Sequence, residues 1–310
     1  MNMNKKVKKK TRWKAYIPLY LMSLPALIYL FINNLLPLYG LQIAFRKLDY
    51  TKGVFKGDFV GFDNFKFLFA TKDAWVMTRN TVLYSLLFMV VGTVLSIAVA
   101  ILFNEVRNKI ASRIYQTAIL IPYIISMVIV GYLAFAFLSS ESGFINNGIL
   151  KVFGKESISW YSEAKYWPFI LLIVSQWKGL GYSILMYLTN IMSISTDYYE
   201  AAAIDGASRW KQIRMITIPL LKPTFMMLTI LSIGGMFYSD FGLFYQIPRN
   251  SGPLYSVTTT IDTYVFRALM NQGNVSMSSA AGFYQSVVGF ILILGSNLIV
   301  RKVSNENAVF

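Results

Sequence analysis

Long apolar segments alternate with shorter polar ones along almost the whole chain. A run of about 20 mainly apolar residues is long enough to cross the hydrocarbon core of a bilayer as a helix. Six segments reach that length, at residues 17–38, 80–103, 114–138, 167–191, 223–247 and 279–300. The pattern predicts an all-α integral membrane protein, with one six-helix transmembrane domain over residues 17–310. An even number of spans places both termini on the same side of the membrane.

The first apolar segment follows a basic tail over residues 1–16. It is too long for the apolar part of a signal peptide and lacks a small-residue cleavage site, so we expect it to be retained as the first span. Asn33 and Asn34 lie near its outer end. Amide groups at that depth need hydrogen-bond partners within the protein, because lipid offers none.

Composition supports a membrane environment. The chain of 310 residues is 55% hydrophobic and only 14% charged, whereas charged residues make up about a quarter of a typical soluble domain. Its formal net charge is +15, and because the basic residues lie mainly between the apolar segments, lipid headgroups are a simpler partner than nucleic acid. There is no cysteine and no histidine, which excludes disulfides, thiol catalysis and most zinc chemistry.

The distribution of basic residues predicts the orientation. Lysine and arginine are concentrated in the tail over residues 1–16 and in the connections 104–113 and 200–222, whereas on the opposite side they are spread over longer loops. Positive charge favours the cytoplasmic face. The sequence therefore predicts a multi-pass protein of the cell membrane with both termini in the cytoplasm.

A polar, basic stretch from Glu200 to Pro223 separates two apolar segments. Residues 200–203 favour helix, Asp205 and Gly206 interrupt it, and a second helical run over residues 207–218 is expected to end against Pro219. The pattern predicts a short helix, a break and another short helix at the cytoplasmic surface.

The same stretch resembles a known family. Glu200-Ala201-Ala202, three further residues, Gly206, and then Ile216-x-Ile218-Pro219 is similar to the cytoplasmic loop signature of permease subunits in binding-protein-dependent ABC importers, although Ile218 stands where the family usually has leucine. Residues 205–207 and the flanking apolar segments resemble the carbohydrate-import branch. The resemblance implies a type I, MetI-like permease fold whose coupling-helix loop covers residues 200–222. The alternative from the residues alone is an ordinary interfacial helix with a chance glycine.

The resemblance also implies roles for individual residues. The loop would dock on an ATPase subunit, with Gly206 forming the tight turn, Ala201 and Ala202 allowing close approach, and Glu200 pairing with a basic residue of that subunit. The second helix would pack on the bundle. The residues implied in docking are Glu200, Ala201, Ala202, Asp205, Gly206, Ile216 and Pro219.

No machinery for chemical catalysis is evident in the sequence. It contains no Gly-x-x-x-x-Gly-Lys-Ser/Thr phosphate-binding loop, and without histidine it cannot form a conventional catalytic triad. We therefore expect no enzyme activity, no catalytic or metal site and no bound cofactor in this chain. The resemblance implies that ATP and Mg²⁺ sit on two partner ATPase subunits, and that a second, different permease chain and an extracytoplasmic solute-binding protein complete the assembly.

Two charged residues lie inside predicted spans, Lys178 and Asp240. Such charges usually face protein or water and can mark a transport path, and these two could pair. Aromatic rings stack on sugars, so nearby aromatic residues are candidates for the path of a carbohydrate. The candidate path residues are Trp177, Lys178, Tyr182, Tyr187, Tyr238, Asp240 and Tyr245. The alternative is a structural ion pair within ordinary interfacial aromatic belts.

Other functions remain open from the sequence. Sugars, oligosaccharides and polysaccharide fragments lead as substrates because of the resemblance, whereas a peptide, a polyamine or a phosphate ester is the alternative within the importer class. An ion-coupled secondary transporter would not need the Glu200 loop, and no inverted repeat is evident. A membrane enzyme would need a cluster of acid–base or metal-binding residues, which the sequence lacks.

Overall fold

The fold is known from a computed structural model that describes residues 13–49, 51, 53 and 55–303. The basic tail predicted over residues 1–16 lies outside these residues as far as residue 12. Nearly all of the described chain is helical. The longer helices are α1 Trp13–Leu30, α3 Lys72–Asn104, α4 Lys109–Ile124, α5 Met127–Leu138, α6 Trp167–Ser193, α10 Lys222–Gly234, α13 Ile261–Met270 and α14 Val275–Val303.

Short elements connect these helices. A two-residue antiparallel hairpin pairs Arg46 with Phe59 and Lys47 with Asp58. The short α-helices and strands are β1 Arg46–Lys47, β2 Asp58–Phe59, α2 Phe67–Ala70, α7 Thr196–Ile204, α8 Arg209–Gln212, α9 Ile218–Leu220, α11 Phe241–Gln246 and α12 Tyr255–Thr258. Segments of π-helix cover Phe31–Leu35, Ile145–Leu150 and Ile213–Thr217, and 3-10 turns cover Leu36–Phe45, Asp63–Phe65, Trp160–Ser162, Ala164–Tyr166 and Gly252–Leu254.

The described helices include four that are long and apolar enough to cross a membrane, at Tyr16–Phe45, Lys72–Asn104, Ala164–Ser193 and Val275–Leu298. Two bent pairs, α4 with α5 and Arg209–Leu220 with α10, raise the number to six when each pair is taken as one span. The prediction of an all-α membrane protein is confirmed. Within the spans predicted over residues 114–138 and 223–247 the helix is not continuous, because both ranges are interrupted.

The predicted span 114–138 bends by 97° between α4 and α5. Pro122 lies in the last turn of α4, and Ile125 and Ser126 are extended, with ψ of 135° and 147°. Ser126 then starts α5 by accepting a hydrogen bond from the backbone N–H of Ile129 at 3.4 Å. A serine is favoured at such a cap because it satisfies an N–H group that the helix leaves free.

The predicted span 223–247 breaks after Gly234. Residues 235–240 are not helical, and α11 follows as a separate short helix. Glycine weakens a helix at this point, and hydrogen bonds from other elements stabilise the break: Asp262 accepts from the backbone N–H and the hydroxyl of Ser239 at 2.7 and 2.6 Å. Gln285 donates to the carbonyl oxygen of Phe237 at 2.6 Å. These bonds link the break to α13 and α14.

The bundle is built around α6, which packs along α3 and α4. A Cβ at Gly181 would overlap the carbonyl group of Ile119, so glycine allows α4 and α6 to approach closely. A buried cluster near the end of α6 includes Ile184, Leu188 and Leu221. We call the end of the bundle that carries residues 196–220 the loop end, and the opposite end, where α3, α6 and α14 begin, the distal end.

Helix α1 differs from the others because no residue between positions 16 and 39 is buried. The chain first packs on the bundle over Leu36–Phe45, which lies against α14. Asn33 donates to the carbonyl oxygen of Tyr29, one turn earlier, at 3.0 Å. Asn33 and Asn34 are both exposed, and no side chain of another described helix bonds them, so the partners expected from the sequence are not found in this part of the chain.

Candidate functional site

A helix, a tight turn and a second helical run form the loop end. Ser195 caps the start of helix α7, because its hydroxyl accepts a hydrogen bond from the N–H of Asp197 at 3.3 Å, so the helix starts before Glu200. At its end the N–H of Ala207 donates to the oxygen of Ala202 at 2.8 Å, and the N–H of Gly206 donates to the oxygen of Ala203 at 3.0 Å. This is the hydrogen-bond pattern of a Schellman cap.

Gly206 has the left-handed backbone conformation that this cap requires, with φ +74°. A side chain at this φ is strained. No atom of the chain lies within 4 Å of the position that a Cβ would occupy. The fold itself therefore requires glycine here for its positive φ and not to avoid a clash with a side chain.

The second run is longer than the sequence predicted. It continues through α8, a π-helical segment and α9 to Leu220, and the bend of 54° follows between Leu220 and Lys222. The expectation that Pro219 ends the helix is wrong. Pro219 directly follows the π-helical segment Ile213–Thr217 and Ile218, and the helix continues past it to Leu220.

A hydrogen bond of 2.9 Å joins the hydroxyl groups of Tyr199 and Thr217, and so connects α7 to the second run. Gln212 is buried and donates to the carbonyl oxygen of Ala207 at 3.1 Å. Beneath this contact a cavity of about 350 Å³ reaches Asn104 and Glu105 at the end of α3 and Ile191 in α6. The loop therefore lies directly against the ends of two long helices.

Several large apolar side chains of this segment are exposed on the surface of the chain. Ile204 is 87% exposed, Trp210 70% and Tyr198 60%. Exposed apolar groups rimmed by polar ones are typical of an interaction surface. The sequence analysis missed all three residues, although an isoleucine directly before Asp205-Gly206 and a tryptophan between Arg209 and Lys211 are visible signals.

The predicted docking residues lie in this segment, but their exposure differs. Ala202 and Ile216 are half-buried. Glu200, Ala201, Asp205, Gly206 and Pro219 are exposed. Together with Tyr198, Ile204 and Trp210, the exposed members form what we call the loop-end surface.

Lys178 and Asp240 do not pair. The Lys178 ammonium donates to the carbonyl oxygen of Tyr123 at 3.0 Å and lies 3.5 Å from that of Pro122. These carbonyl groups belong to the last turn of α4, where the Pro122 oxygen also accepts from the backbone N–H of Ile125 at 3.3 Å, whereas the Tyr123 oxygen has no following helical N–H group to bind it. Asp240 instead caps α11 by accepting from the N–H of Leu243 at 3.0 Å.

An aromatic pair lies beside the ammonium group. Tyr123 and Tyr182 stack with their ring centroids 6.2 Å apart, and the Lys178 nitrogen is 5.9 Å from the centre of the Tyr123 ring. Both rings are about half exposed. Tyr123 was missed in the sequence because it precedes a bend that the apolar pattern did not reveal.

The other predicted path residues are dispersed. Tyr187 is 1% exposed within the buried cluster of α6, so it cannot line a path. Trp177 lies with α5 along an apolar groove. Tyr238 is exposed near Ser286, at 3.4 Å between their oxygens, and Tyr245 stacks on Phe241 at 4.9 Å.

A cleft rich in serine lies between α3, α6 and α10, with a volume of about 290 Å³. The hydroxyl of Ser96 is buried there and has no hydrogen-bond partner in the described chain. The side chains that give the cleft its polarity are Ser85, Ser96, Ser175, Gln176, Ser183 and Ser232. Hydroxyl and amide groups of this kind bind hydroxylated solutes or water, and the sequence analysis did not single them out.

Comparison of the sequence with known proteins identifies a family and several relatives. Residues 92–305 match the family described as the binding-protein-dependent transport system inner membrane component. Protein LplB of Bacillus subtilis is 35% identical over 96% of this chain and 91% of its own length. The polygalacturonan/rhamnogalacturonan transport system permease protein YteP of Bacillus subtilis is 32% identical over 93% and 89%.

A solved structure is also similar. A chain in the crystal structure of a bacterial ABC transporter involved in the import of the acidic polysaccharide alginate superimposes with a TM-score of 0.85 at 30% identity. The match covers 94% of this chain and 97% of that one. A second structure of a bacterial alginate ABC transporter, in complex with an alginate pentasaccharide-bound periplasmic protein, gives a TM-score of 0.84.

Proposed function

The chain belongs to the family of binding-protein-dependent transport system inner membrane components, and on that premise we propose that it is the permease subunit of an ATP-driven importer for oligosaccharides or polysaccharide fragments. It would form half of the translocation path. The likeness over most of the chain to YteP and to the alginate transporter supports a saccharide substrate.

The observation that carries the proposal is the loop-end surface. A short helix closed by Gly206 presents Ile204 and Trp210 to the outside, and the Tyr199–Thr217 bond ties that helix to the bundle. A protruding helix of this kind can sit in a cleft on an ATPase subunit and transmit its closure as a rigid-body motion. ATP and Mg²⁺ would bind to that subunit, and this chain would hydrolyse nothing.

Docking of the loop end on an ATPase subunit would fix which side of the membrane each end of the bundle faces. The loop end would face the cytoplasm, together with both termini, and the distal end would face an extracytoplasmic solute-binding protein. The complex of the alginate transporter with a periplasmic protein supports such a partner. The density of basic residues near the loop agrees with this orientation.

A second permease chain would complete the path. The uncovered part of the first span, Tyr16–Phe45, supports this, because Asn33 and Asn34 are exposed in its π-helical segment Phe31–Leu35. Amides in hydrocarbon need partners, and a neighbouring permease supplies helices at the right depth. The saccharide would pass the Tyr123–Tyr182 pair and the serine cleft, where rings stack on sugar faces and hydroxyl groups replace water.

The test is a tagged pull-down from detergent-solubilised membranes, with bound proteins identified and ATPase activity measured. We expect a second permease and an ATPase with the wild-type chain. Trp210→Glu should lose the ATPase subunit and keep the second permease, because it places a charge in a desolvated interface. Phe153→Glu is the matched control, since Phe153 is equally exposed, at 73%, in the connection at the distal end.

Recovery of the chain alone would contradict the proposal. So would uptake in proteoliposomes that continues without ATP and stops when the ion gradient is collapsed, which is the behaviour of a secondary transporter.

A further inference from the structure

The distal end contains a second aromatic and polar cleft, with a volume of about 240 Å³. It lies between the first turns of α5 and the end of α11, close to where the chain turns after the 97° bend. Its lining combines two phenol rings, two amides and a guanidinium group. These residues are Tyr132, Tyr245, Gln246, Arg249 and Asn250, and Val128 and Gly131 complete the lining.

Arg249 occupies a backbone position that favours glycine. Its N–H donates to the oxygen of Gln246 at 3.2 Å, and the N–H of Asn250 donates to the oxygen of Tyr245 at 3.1 Å. This is the same helix cap that Gly206 forms in α7. Arg249 and Asn250 have φ of +53° and +49°, and they are the described residues other than glycine with positive φ. Keeping arginine at a strained position points to a role for its side chain.

The guanidinium group of Arg249 is not neutralised by the fold. It lies 4.1 Å above the centre of the Phe135 ring, and no acceptor among the described residues takes a hydrogen bond from its five N–H groups. The positive charge also acts on the neighbouring Tyr161 phenol. Burial raises the pKa of this phenol to about 12, and the charge of Arg249 partly offsets that rise. The ring holds the cation in place and leaves its donor edge free.

Two other arginines of the distal end are engaged differently. Arg267 donates to the side-chain oxygens of Thr259 at 2.8 Å and Asn250 at 3.3 Å. Arg79 donates to the Asn80 side chain at 3.0 Å and to the carbonyl oxygen of Ser256 at 3.2 Å. These two stabilise the fold, whereas Arg249 is free to bind a ligand.

We propose that the Arg249 cleft is an entry subsite for a sugar residue that carries a carboxylate, so that the imported saccharide is a uronate oligosaccharide. This deepens the proposed function and rests on it. The planar guanidinium group binds a carboxylate through two parallel hydrogen bonds. Tyr132, which is 70% exposed, provides a ring face for the pyranose, and Gln246 and Asn250 bind its hydroxyl groups. Lys178 of α6, which donates to the Tyr123 carbonyl oxygen just before the bend, places a second positive charge beside the Tyr123–Tyr182 pair.

The experiment uses the complete transporter with its binding protein in proteoliposomes. The probes are trigalacturonate, its fully methyl-esterified form and maltotriose. For the wild type we expect ATP-dependent uptake of trigalacturonate at least tenfold faster than that of the ester. Arg249→Gln should reduce trigalacturonate uptake at least tenfold, whereas Arg249→Lys should retain a substantial part of it.

Two variants separate binding from folding. Arg249→Gly removes the side chain but suits the positive φ, so the protein should be at least as stable as the wild type and still lose trigalacturonate uptake. Lys155→Gln removes an exposed charge elsewhere in the distal connection and should transport like the wild type.

The outcomes distinguish a failure of the uronate subsite from a failure of the proposed importer function. Uptake of maltotriose or the ester at a rate equal to that of trigalacturonate overturns the uronate subsite and leaves the importer intact. An equal loss of every sugar in Arg249→Gly reduces Arg249 to a structural residue and also overturns the subsite. Failure of ATP to drive uptake of any of the three sugars overturns the proposed function itself.

Discussion

Two turns with the same hydrogen-bond pattern use different residues at the left-handed position. Gly206 has φ +74° at the loop end, and Arg249 has φ +53° at the distal end. The first turn exposes its backbone and needs no side chain. The second keeps a cation there although an L-residue in this conformation costs about 1–2 kcal/mol.

Gly206 offers a test of what the loop-end turn requires. Gly206→Val should disturb the turn, because a β-branched residue is strongly disfavoured at positive φ. Gly206→Asn should keep it, because asparagine tolerates this conformation. We expect the valine variant to insert normally but to lose most of the ATP-driven uptake and the bound ATPase in a pull-down, with the asparagine variant close to the wild type.

If both variants lose the ATPase subunit, the partner approaches the backbone too closely for any side chain. If both bind it normally, Gly206 is not part of the docking site.

Pairwise contacts were the least predictable feature at the residue scale. Lys178 and Asp240 looked like a pair because both are charges inside apolar segments. Their real partners are backbone groups, the free carbonyl of Tyr123 and the free N–H of Leu243. Such groups exist only because helices end nearby, and the sequence pattern did not reveal those ends.

At the scale of elements, both broken helices are held by specific side chains. The end of α4 is satisfied by the Lys178 ammonium, and a hydrogen bond to a charged group contributes about 1.5–3 kcal/mol. Lys178→Met should therefore lower the thermal unfolding temperature in detergent by several degrees. Lys178→Arg, which can still donate to these carbonyl groups, should lower it less. Equal losses for the two variants would argue against the capping role.

A pair of identical substitutions tests the break after α10. Asp262 accepts hydrogen bonds from Ser239 and, at 3.1 Å, from the Gln285 amide. Asp262→Asn puts an amide N–H₂ among these donors, so we expect a loss of about 1–3 kcal/mol in the free energy of unfolding. Asp240→Asn should be nearly neutral, because asparagine caps a helix as well as aspartate does. Urea or thermal unfolding of the two purified variants measures the difference. A larger loss at position 240 would contradict this account.

The sequence patterns predicted which segments are helical, but not where those helices are interrupted. Apolar length predicted the membrane class, and Asp205-Gly206 predicted a short helix followed by a break, which the structure contains. The interruptions at residues 125–126 and 235–240 were missed because apolar residues continue through them. In such segments the deciding interactions come from distant residues, Lys178 for the first and Asp262 for the second.

At the scale of the whole molecule, the proposed orientation can be tested directly. The chain has no cysteine, so single cysteines can be introduced without background. Phe153→Cys at the distal end should react with a membrane-impermeant maleimide in intact cells. Trp210→Cys should react only after the membrane is permeabilised. Reaction of both in intact cells, or the reverse pattern, would place the loop end on the wrong side for an ATPase partner.

The exposed first helix also has a consequence for how the protein is produced. A copy made without its partner would carry the amides of Asn33 and Asn34 in lipid, with only a bond from Asn33 back to its own helix. Unsatisfied polar groups in a membrane helix mark a subunit as incomplete. In the proposed assembly, we expect copies made without the second permease chain to be removed by membrane proteolysis, so that the cell would have to synthesise both chains in matched amounts.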